Sequence, residues 1–153
     1  MNQQQTIEFS KKYIEDLLAF FGVNTEVEVV CRDDIIDINI PNTHENSLLI
    51  GRNAETLRAI QHILSAVLHN SDTEISRVTI DIADYKKHRA EKIAEQAKQW
   101  IEEVRSSGDS HIARLNAADR RIVHQVATEY DDIETFSEGE GRERRVIIAQ
   151  KSS

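Results

Sequence analysis

The sequence predicts an α+β protein of two small units joined by one long helix. Apolar residues recur at helical spacing in some segments and alternate with polar residues in others, as expected when helices and strands share one chain. One proline and five glycines in 153 residues favour long regular elements. The longest helical pattern, residues 85–105, is the natural boundary, so we expect domains at residues 1–84 and 85–153.

The first unit is predicted to have the element order αββααβ. Gly22 ends the first helix, Arg32-Asp33-Asp34 forms the turn of a hairpin, and Gly51 separates the two middle helices. In chain order, the predicted elements are a helix at 4–21, strands at 25–30 and 35–40, helices at 43–50 and 54–69, and a strand at 75–82.

The second unit is predicted to be a small α/β arrangement that follows the long helix. Asn116 is a plausible N-cap for a helix that runs through Thr128. The other predicted elements are a short extended segment at 111–115, a flexible turn at 137–141, and strands at 133–136 and 145–148.

The apolar and cysteine content bound the class of protein. No apolar run approaches the roughly 20 residues that a membrane span requires, and we see no signal peptide. Cys31 is the only cysteine, so an internal disulfide is excluded and a reducing cytoplasm is the expected location.

The net charge of −8 is unusual for a nucleic-acid-binding protein. Residues 1–75 hold 5 Lys/Arg and 12 Asp/Glu, whereas residues 76–153 hold 14 and 15, so the acidity lies almost entirely in the first half. The second half carries tight basic groups, and binding depends on the local potential more than on the total charge. These groups are Lys86-Lys87 with Arg89, Arg120-Arg121, and Arg142 with Arg144-Arg145.

The segment Gly51-Arg52-Asn53-Ala54 is the first candidate site. Glycine permits a close backbone approach, and the start of the following helix offers N–H groups suited to phosphate. In the alternative interpretation, Gly51 only ends one helix and Asn53 only caps the next. If the loop is an exposed site, we expect aspartate at both Gly51 and Arg52 to abolish binding without unfolding the unit.

Two regions, one in each predicted unit, together resemble the bacterial Jag/KhpB family. Residues 49–61, LIGRNAETLRAIQ, are similar to the core of its KH domain. Residues 115–124, LNAADRRIVH, with SEGEG at 137–141 and RRVII at 144–148, resemble its Arg-x-x-x-His motif domain. No stretch of the sequence resembles the family's N-terminal Jag domain.

The resemblance implies a type II KH-like unit, a second nucleic-acid-binding domain and an RNA ligand in the bacterial cytoplasm. A KH loop normally closes with a second glycine, and that position is Ala54 here. We expect Ala54 to be the first residue of the following helix, with helical backbone angles.

Arg120 and His124 form the second candidate site. They lie four residues apart on a predicted helix and therefore share a face, as the two named positions of the Arg-x-x-x-His motif. A guanidinium can hold a phosphate, and an imidazole can stack on a base. The alternative is a structural histidine beside an ordinary surface arginine.

Further basic residues complete the candidate nucleic-acid-binding set. If the last strand begins early, Arg142 and Arg144 share one of its faces, with Arg145 opposite. The alternative is a solvated hairpin balanced by glutamates. Lys86, Lys87 and Arg89, at the start of the long helix, are a weaker hint of a ligand-facing surface.

We expect no metal, cofactor or catalytic site, because the histidines lack metal-ligand spacing and no nucleophile motif is legible. The sequence therefore favours a non-enzymatic binder of single-stranded RNA, such as a post-transcriptional regulator or RNA chaperone. Single-stranded DNA remains open as a ligand, and a second KH protein or self-association as a partner. The alternative function is a protein-interaction scaffold that uses the acidic KH-like half.

Overall fold

The computed structural model describes residues 1–152 and separates into two units, Met1–Tyr85 and a second unit that begins at Lys86. Its secondary structure is a mixture of helices and strands, which confirms the predicted α+β class.

The first unit has the predicted order of helices and strands. Its elements are α1 (Gln3–Phe20), β1 (Glu28–Arg32), β2 (Ile35–Ile40), α2 (Asn46–Ile50), a 3₁₀ turn (Arg52–Ala54), α3 (Glu55–His69) and β3 (Arg77–Ile82). Two predicted bounds were wrong by several residues. The first strand begins at Glu28 because its pairing with β2 starts there. The second helix begins only at Asn46, whose side chain accepts hydrogen bonds from the Thr43 amide and hydroxyl and so holds the preceding residues in a turn.

The three strands of the first unit form one sheet in the order β1-β2-β3. β1 and β2 are antiparallel and joined by Asp33 and Asp34, both with positive φ, as in a tight two-residue hairpin turn. β2 and β3 are parallel, with Ile38 opposite Ile80. A parallel pair needs a crossover connection, which α2 and α3 supply.

One face of this sheet and the apolar stripes of α1 and α3 make the first core. Each fully buried Leu or Ile contributes about 1.5–3 kcal/mol relative to its exposed state. The core positions on the sheet alternate along β2 and β3, as a half-buried strand requires. The core includes Ile14 and Leu18 of α1, Leu57, Ile60, Leu64 and Leu68 of α3, Ile36, Ile38 and Ile40 of β2, and Val78, Ile80 and Ile82 of β3.

In the second unit, three strands and a shorter helix follow the long helix. The elements are α4 (Tyr85–Ser107), β4 (His111–Arg114), α5 (Ala117–Ala127), β5 (Ile133–Glu138), a 3₁₀ turn (Gly141–Glu143) and β6 (Arg145–Gln150). Tyr85 belongs to the first unit by its contacts, and the rest of α4 to the second. The side chain of Asn116 accepts a hydrogen bond from the Asp119 amide, which confirms the predicted cap of α5.

The second sheet is antiparallel and has the order β4-β6-β5, so β6 is its central strand. The inner face of β6, Val146 and Ile148, packs with α4 and α5. The buried partners on the helices are Ile93, Ala97, Ile101, Val104, Val123, Val126 and Ala127.

Arg105 near the end of α4 ties the helix to the start of β5. Its Nε and Nη2 atoms donate to the two carboxylate oxygens of Asp132 at 2.8 and 3.1 Å, and its guanidinium lies over the ring of Tyr130. Bidentate pairs of this kind are stronger and more geometrically specific than single contacts. The helix continues to Ser107, two residues beyond the predicted end.

Within residues 1–152, no helix combines the length and apolar character that a bilayer-spanning segment requires.

Candidate nucleic-acid interface

The loop at residues 51–54 presents two exposed polar residues between α2 and α3. Gly51 ends α2 with φ 72° and ψ 179°, a backbone conformation that essentially only glycine adopts. Arg52 and Asn53 follow at the tip and are exposed. Ala54 then returns into the core. The loop therefore holds Arg52 and Asn53 outward between two anchored ends.

Contact with Thr56, as well as the backbone angles, requires glycine at position 51. A Cβ atom at this position would lie 2.9 Å from the Thr56 backbone nitrogen and 2.8 Å from its Cβ, closer than real Cβ contacts come. The expectation that aspartate could replace Gly51 without loss of fold is therefore wrong. Only Arg52, of the two residues in that test, can be replaced without disturbing the packing.

Ala54 departs from the backbone conformation that we expected. Its φ and ψ are 59° and 24°, in the left-handed region, and α3 begins one residue later at Glu55. Asn53 is left-handed too, with φ 54°. A left-handed alanine is strained, because its Cβ crowds the backbone, so the conformation that a second glycine would adopt freely is imposed here on Ala54.

The N-terminus of α3 has no side-chain cap among the described residues, in contrast to α1 and α5. Asn2 and Asn116 cap those two helices, whereas Ala54 occupies the cap position of α3 and offers no side-chain acceptor. The first N–H groups of a helix have no partner within the helix and carry its positive dipole end. The Glu55 N–H donates to the Arg52 carbonyl, and the positive dipole end of α3 beside Arg52 favours an anion.

His124 lies on α5 and faces the inner side of β5. Its Nδ1 is 2.6 Å from Oγ1 of Thr135, and its Nε2 is 2.9 Å from Oγ of Ser137. Burial lowers the pKa of His124 below the usual 6.5, and the charges of Arg120 and Arg144 lower it further. His124 is therefore a neutral, doubly hydrogen-bonded ring at neutral pH, with two cationic side chains near it.

Arg120 and Arg144 each bond to a backbone carbonyl and keep further donors. Nη1 of Arg120 donates to the Leu115 carbonyl, and Nη1 of Arg144 donates to the Gly139 carbonyl at 2.8 Å. Both side chains are half-buried. Each guanidinium has five N–H donors, so a single carbonyl bond orients it without exhausting it. The structure thus brings both arginines together with His124, and the contacts of all three within residues 1–152 are to carbonyl and hydroxyl groups.

The other two arginines of the hairpin are placed differently from our expectation. Arg142 lies in the 3₁₀ turn, exposed, and β6 begins only at Arg145, so Arg142 and Arg144 do not share a strand face. Arg145 pairs with Glu138 across the hairpin, with its Nε 2.9 Å from Oε1. Arg145 thus has a glutamate partner in the hairpin.

Arg89 has a structural partner that sequence reasoning missed. Its Nη2 is 3.0 Å from Oδ2 of Asp119, a carboxylate with a side chain only 4% exposed. Asp119 lies in the first turn of α5, directly before Arg120, so the pair fixes the start of the helix that carries Arg120. Arg89 therefore has a structural role inside the unit. Asp119, a charged residue on the buried face of α5, was the signal from which a buried ion pair could have been predicted.

The hydroxyl partners of His124 were also missed. Thr135 lies within the strand predicted at 133–136, but Ser137 was predicted to begin a flexible turn at 137–141, whereas β5 continues to Glu138. The pairing of either residue with α5 was not predicted. Within residues 1–152, no group of three or more His, Cys, Asp or Glu side chains is arranged to hold a metal ion.

Comparison with known proteins finds relatives whose similarity to this chain covers both units. Residues 91–150 match the family model of the domain that is named for its Arg-x-x-x-His motif. A Streptococcus pneumoniae protein named RNA-binding protein KhpB is 30% identical over 108 residues, which cover 70% of this chain and 33% of that protein. The match thus spans about a third of that relative's length.

Two further relatives match over almost the whole chain. Proteins of the same name from Clostridium symbiosum and Bacillus subtilis are 27% and 24% identical over 150 and 148 residues. Those alignments cover 97% and 95% of this chain, and 66% and 71% of the relatives.

Proposed function

Because this chain belongs to the Jag/KhpB family, we propose that it binds single-stranded RNA through one site on each unit. The first unit is a type II KH-like domain whose site is the loop at residues 51–54. The second is an Arg-x-x-x-His motif domain whose site is the cluster of Arg120, Arg144 and His124. In this proposal the protein is a post-transcriptional regulator or RNA chaperone and has no catalytic activity.

The observation that carries the proposal is the construction of the loop. It projects Arg52 and Asn53 to solvent, and the uncapped N-terminus of α3 lies directly behind them. N–H groups of a helix start, together with a guanidinium, form a ready site for phosphate. The strain at Ala54 supports the same conclusion, since residues held in unfavourable backbone conformations cluster at functional sites.

The second site fits the same ligand by different chemistry. Arg120 and Arg144 offer oriented donors to phosphate, and the neutral ring of His124 adds a flat face between them and the sheet. The ring is held rigidly by Thr135 and Ser137, so no rotamer freedom is lost when a base or ribose contacts it. Two modest sites in one chain raise the overall affinity through effective concentration.

The ligand is single-stranded because the contacts are shallow and separate. Neither site is a long basic helix suited to a groove, and sequence-specific RNA recognition mostly uses unstacked bases in single strands. The first unit carries most of the net charge of −8, so binding is expected to be modest and strongly dependent on salt.

Fluorescence anisotropy with labelled single-stranded RNA and duplex RNA across a salt series tests the proposal. For the first site, Arg52→Glu should weaken binding, whereas Arg32→Glu, the same charge change at an exposed position of β1, should have a smaller effect. For the second site, Arg120→Ala should lower the slope of log K against log salt by about 0.7, the single-strand value for one phosphate contact. Arg121→Ala, at the exposed neighbouring position, is its control.

Equal or tighter binding of duplex RNA would contradict the single-strand preference. If neither site variant changes RNA affinity, the scaffold interpretation gains, with the acidic first unit as the protein-binding surface.

A further inference from the structure

The outer face of the second sheet carries a row of three apolar side chains. Ile112 of β4 is opposite Ile147 of β6, which in turn is opposite Phe136 of β5. Ile112 is 54% and Phe136 45% exposed, although both are large apolar residues. The row therefore crosses the whole sheet and ends at the free edge of β5.

This row lies on the side of the sheet opposite to the core. Val146 and Ile148 point into the core, and Ile147 between them must point the other way because successive side chains alternate. Ile147 is buried but is not part of the core cluster. Its two neighbours in the row, Ile112 and Phe136, are the exposed members, and Phe136 supplies the one aromatic ring.

A second row next to it carries two arginines. Arg114 of β4 is opposite Arg145 of β6, and Arg145 is opposite Glu138 of β5. This row is two residues along the strands from the apolar row, a separation of about 7 Å. Arg145, on the strand next to that of Phe136, and Arg114, one strand further away, thus border the exposed phenyl ring on the same face.

The acidic partners of these arginines are exposed to solvent, although Arg145 donates to Glu138 through both Nε and Nη2. Arg114 is 3.4 Å from Glu143 with side chains 67% and 74% exposed, and the Arg145–Glu138 pair is 41% and 45% exposed. Ion pairs this exposed gain little over solvated charges, so a phosphate can replace either carboxylate.

We propose that an unpaired RNA base stacks on Phe136 and that the adjoining phosphate binds Arg114 and Arg145. The inference rests on the proposed function and adds a third contact surface, on the opposite face of the sheet from His124. A phenyl ring on a sheet flanked by guanidinium groups has the two components of single-strand binding, a stacking platform and phosphate donors.

The edge of β5 makes the two faces of the sheet continuous for one strand of RNA. Ser137, the partner of His124, and Phe136 are adjacent residues that point to opposite faces. Because β5 is an edge strand, an RNA chain that leaves the Arg120 and Arg144 cluster can pass around this edge to Phe136.

The size of the row argues against a second protein chain as the occupant. A stable protein interface buries about 800 Å² on each partner. Two half-exposed side chains and one covered side chain offer far less apolar surface, and charged residues border them on the same face. A single base, in contrast, is matched in size by one phenyl ring.

The test uses the full chain with a short labelled oligouridine and an abasic ribose-phosphate oligomer of equal length. Phe136→Leu keeps an apolar side chain but removes the aromatic face, so affinity for oligouridine should fall about fivefold or more while affinity for the abasic oligomer stays unchanged. Phe136→Trp should retain binding. Phe20→Leu, at an aromatic residue 89% exposed in the first unit, is the matched control and should change neither affinity.

A second variant tests the phosphate contact through an expected gain in RNA affinity. Glu138→Gln removes the acidic partner of Arg145, so affinity for both oligomers should rise, and a fall would show that Arg145 does not bind phosphate. Sedimentation velocity on wild type and Phe136→Leu measures self-association in the same samples.

Three further results would overturn the inference. If Phe136→Leu binds oligouridine like wild type while Arg52→Glu weakens it, the stacking surface is wrong and the proposed function stands. If the wild type binds neither oligomer, both fail. If the wild type is a dimer that Phe136→Leu dissociates, the row is a self-association surface instead.

Discussion

Replacement of Gly51 by alanine should destabilise the first unit through two separate effects. The residue has φ 72° and ψ 179°, and forcing an L-residue into such a conformation costs about 1–3 kcal/mol. The added Cβ would also meet the Thr56 backbone nitrogen at 2.9 Å, and overpacking of this kind costs about 1–3 kcal/mol more. The expected total is therefore about 2–6 kcal/mol.

Gly22→Ala separates the two effects because it shares only the first. Gly22 also has a positive φ, 78°, but a Cβ there would have no heavy atom of residues 1–152 within 4 Å beyond its chain neighbours. Its cost should be about 1–2 kcal/mol, the strain of a left-handed alanine. The difference between the two variants thus measures the steric conflict with Thr56.

Urea titrations followed by far-ultraviolet circular dichroism give the free energy of unfolding for both variants. Trp100 lies in the second unit, so its fluorescence serves as an internal reference for a unit that carries neither substitution. Equal losses for Gly51→Ala and Gly22→Ala would refute the reasoning, since they would show that Thr56 does not constrain the loop.

Three further predictions concern buried polar groups. The Ser10 hydroxyl is buried without a hydrogen-bond partner among residues 1–152, so Ser10→Ala should leave the melting temperature unchanged or raise it. Thr6→Ala breaks the hydrogen bond to Thr73 and should lower the melting temperature by the equivalent of about 1 kcal/mol. The pKa of His124 is depressed in the folded state, so the unfolded state binds more protons as pH falls through about 6.5. The free energy of unfolding should therefore fall with pH in this range. Urea titrations of His124→Gln should lack this pH-dependent loss of stability. Arg89→Ala leaves the buried carboxylate of Asp119 without its partner and should lower the free energy of unfolding, measured by urea titration, by about 3 kcal/mol. Asp119→Ala should lower it less, because the remaining arginine can reach water. Equal losses for the two variants would contradict this asymmetry.

Local rules predicted the regular elements better than they predicted the sites. Alternation from Ile35 to Ile40 indicated the bounds of β2, and a single asparagine indicated the cap of α5, because both signals act over a few neighbouring residues. The left-handed angles of Ala54 run against its own preference and are imposed by packing around the loop, so no local rule finds them.

Pairings between side chains of distant segments were also not predicted from the sequence. The environment of His124 depends on Thr135 and Ser137, which belong to a strand that docks against α5. The Arg89 and Asp119 pair likewise joins two helices across a separation of 30 residues. Residue type and spacing indicated that Arg120 and His124 share a face, but not which side chains that face would meet.

The parallel pairing of β2 with β3 has a consequence for how the first unit forms. The β1–β2 hairpin needs only local contacts and can form within about 1–10 μs. Ile36, in contrast, pairs with Val78, and that closure must wait until β3 has left the ribosome. The loop at residues 51–54 lies inside the crossover that this closure completes. A nascent chain that stops short of β3 therefore has the residues of the loop but not its geometry, and it should acquire the binding site only when the last strand of the unit is in place.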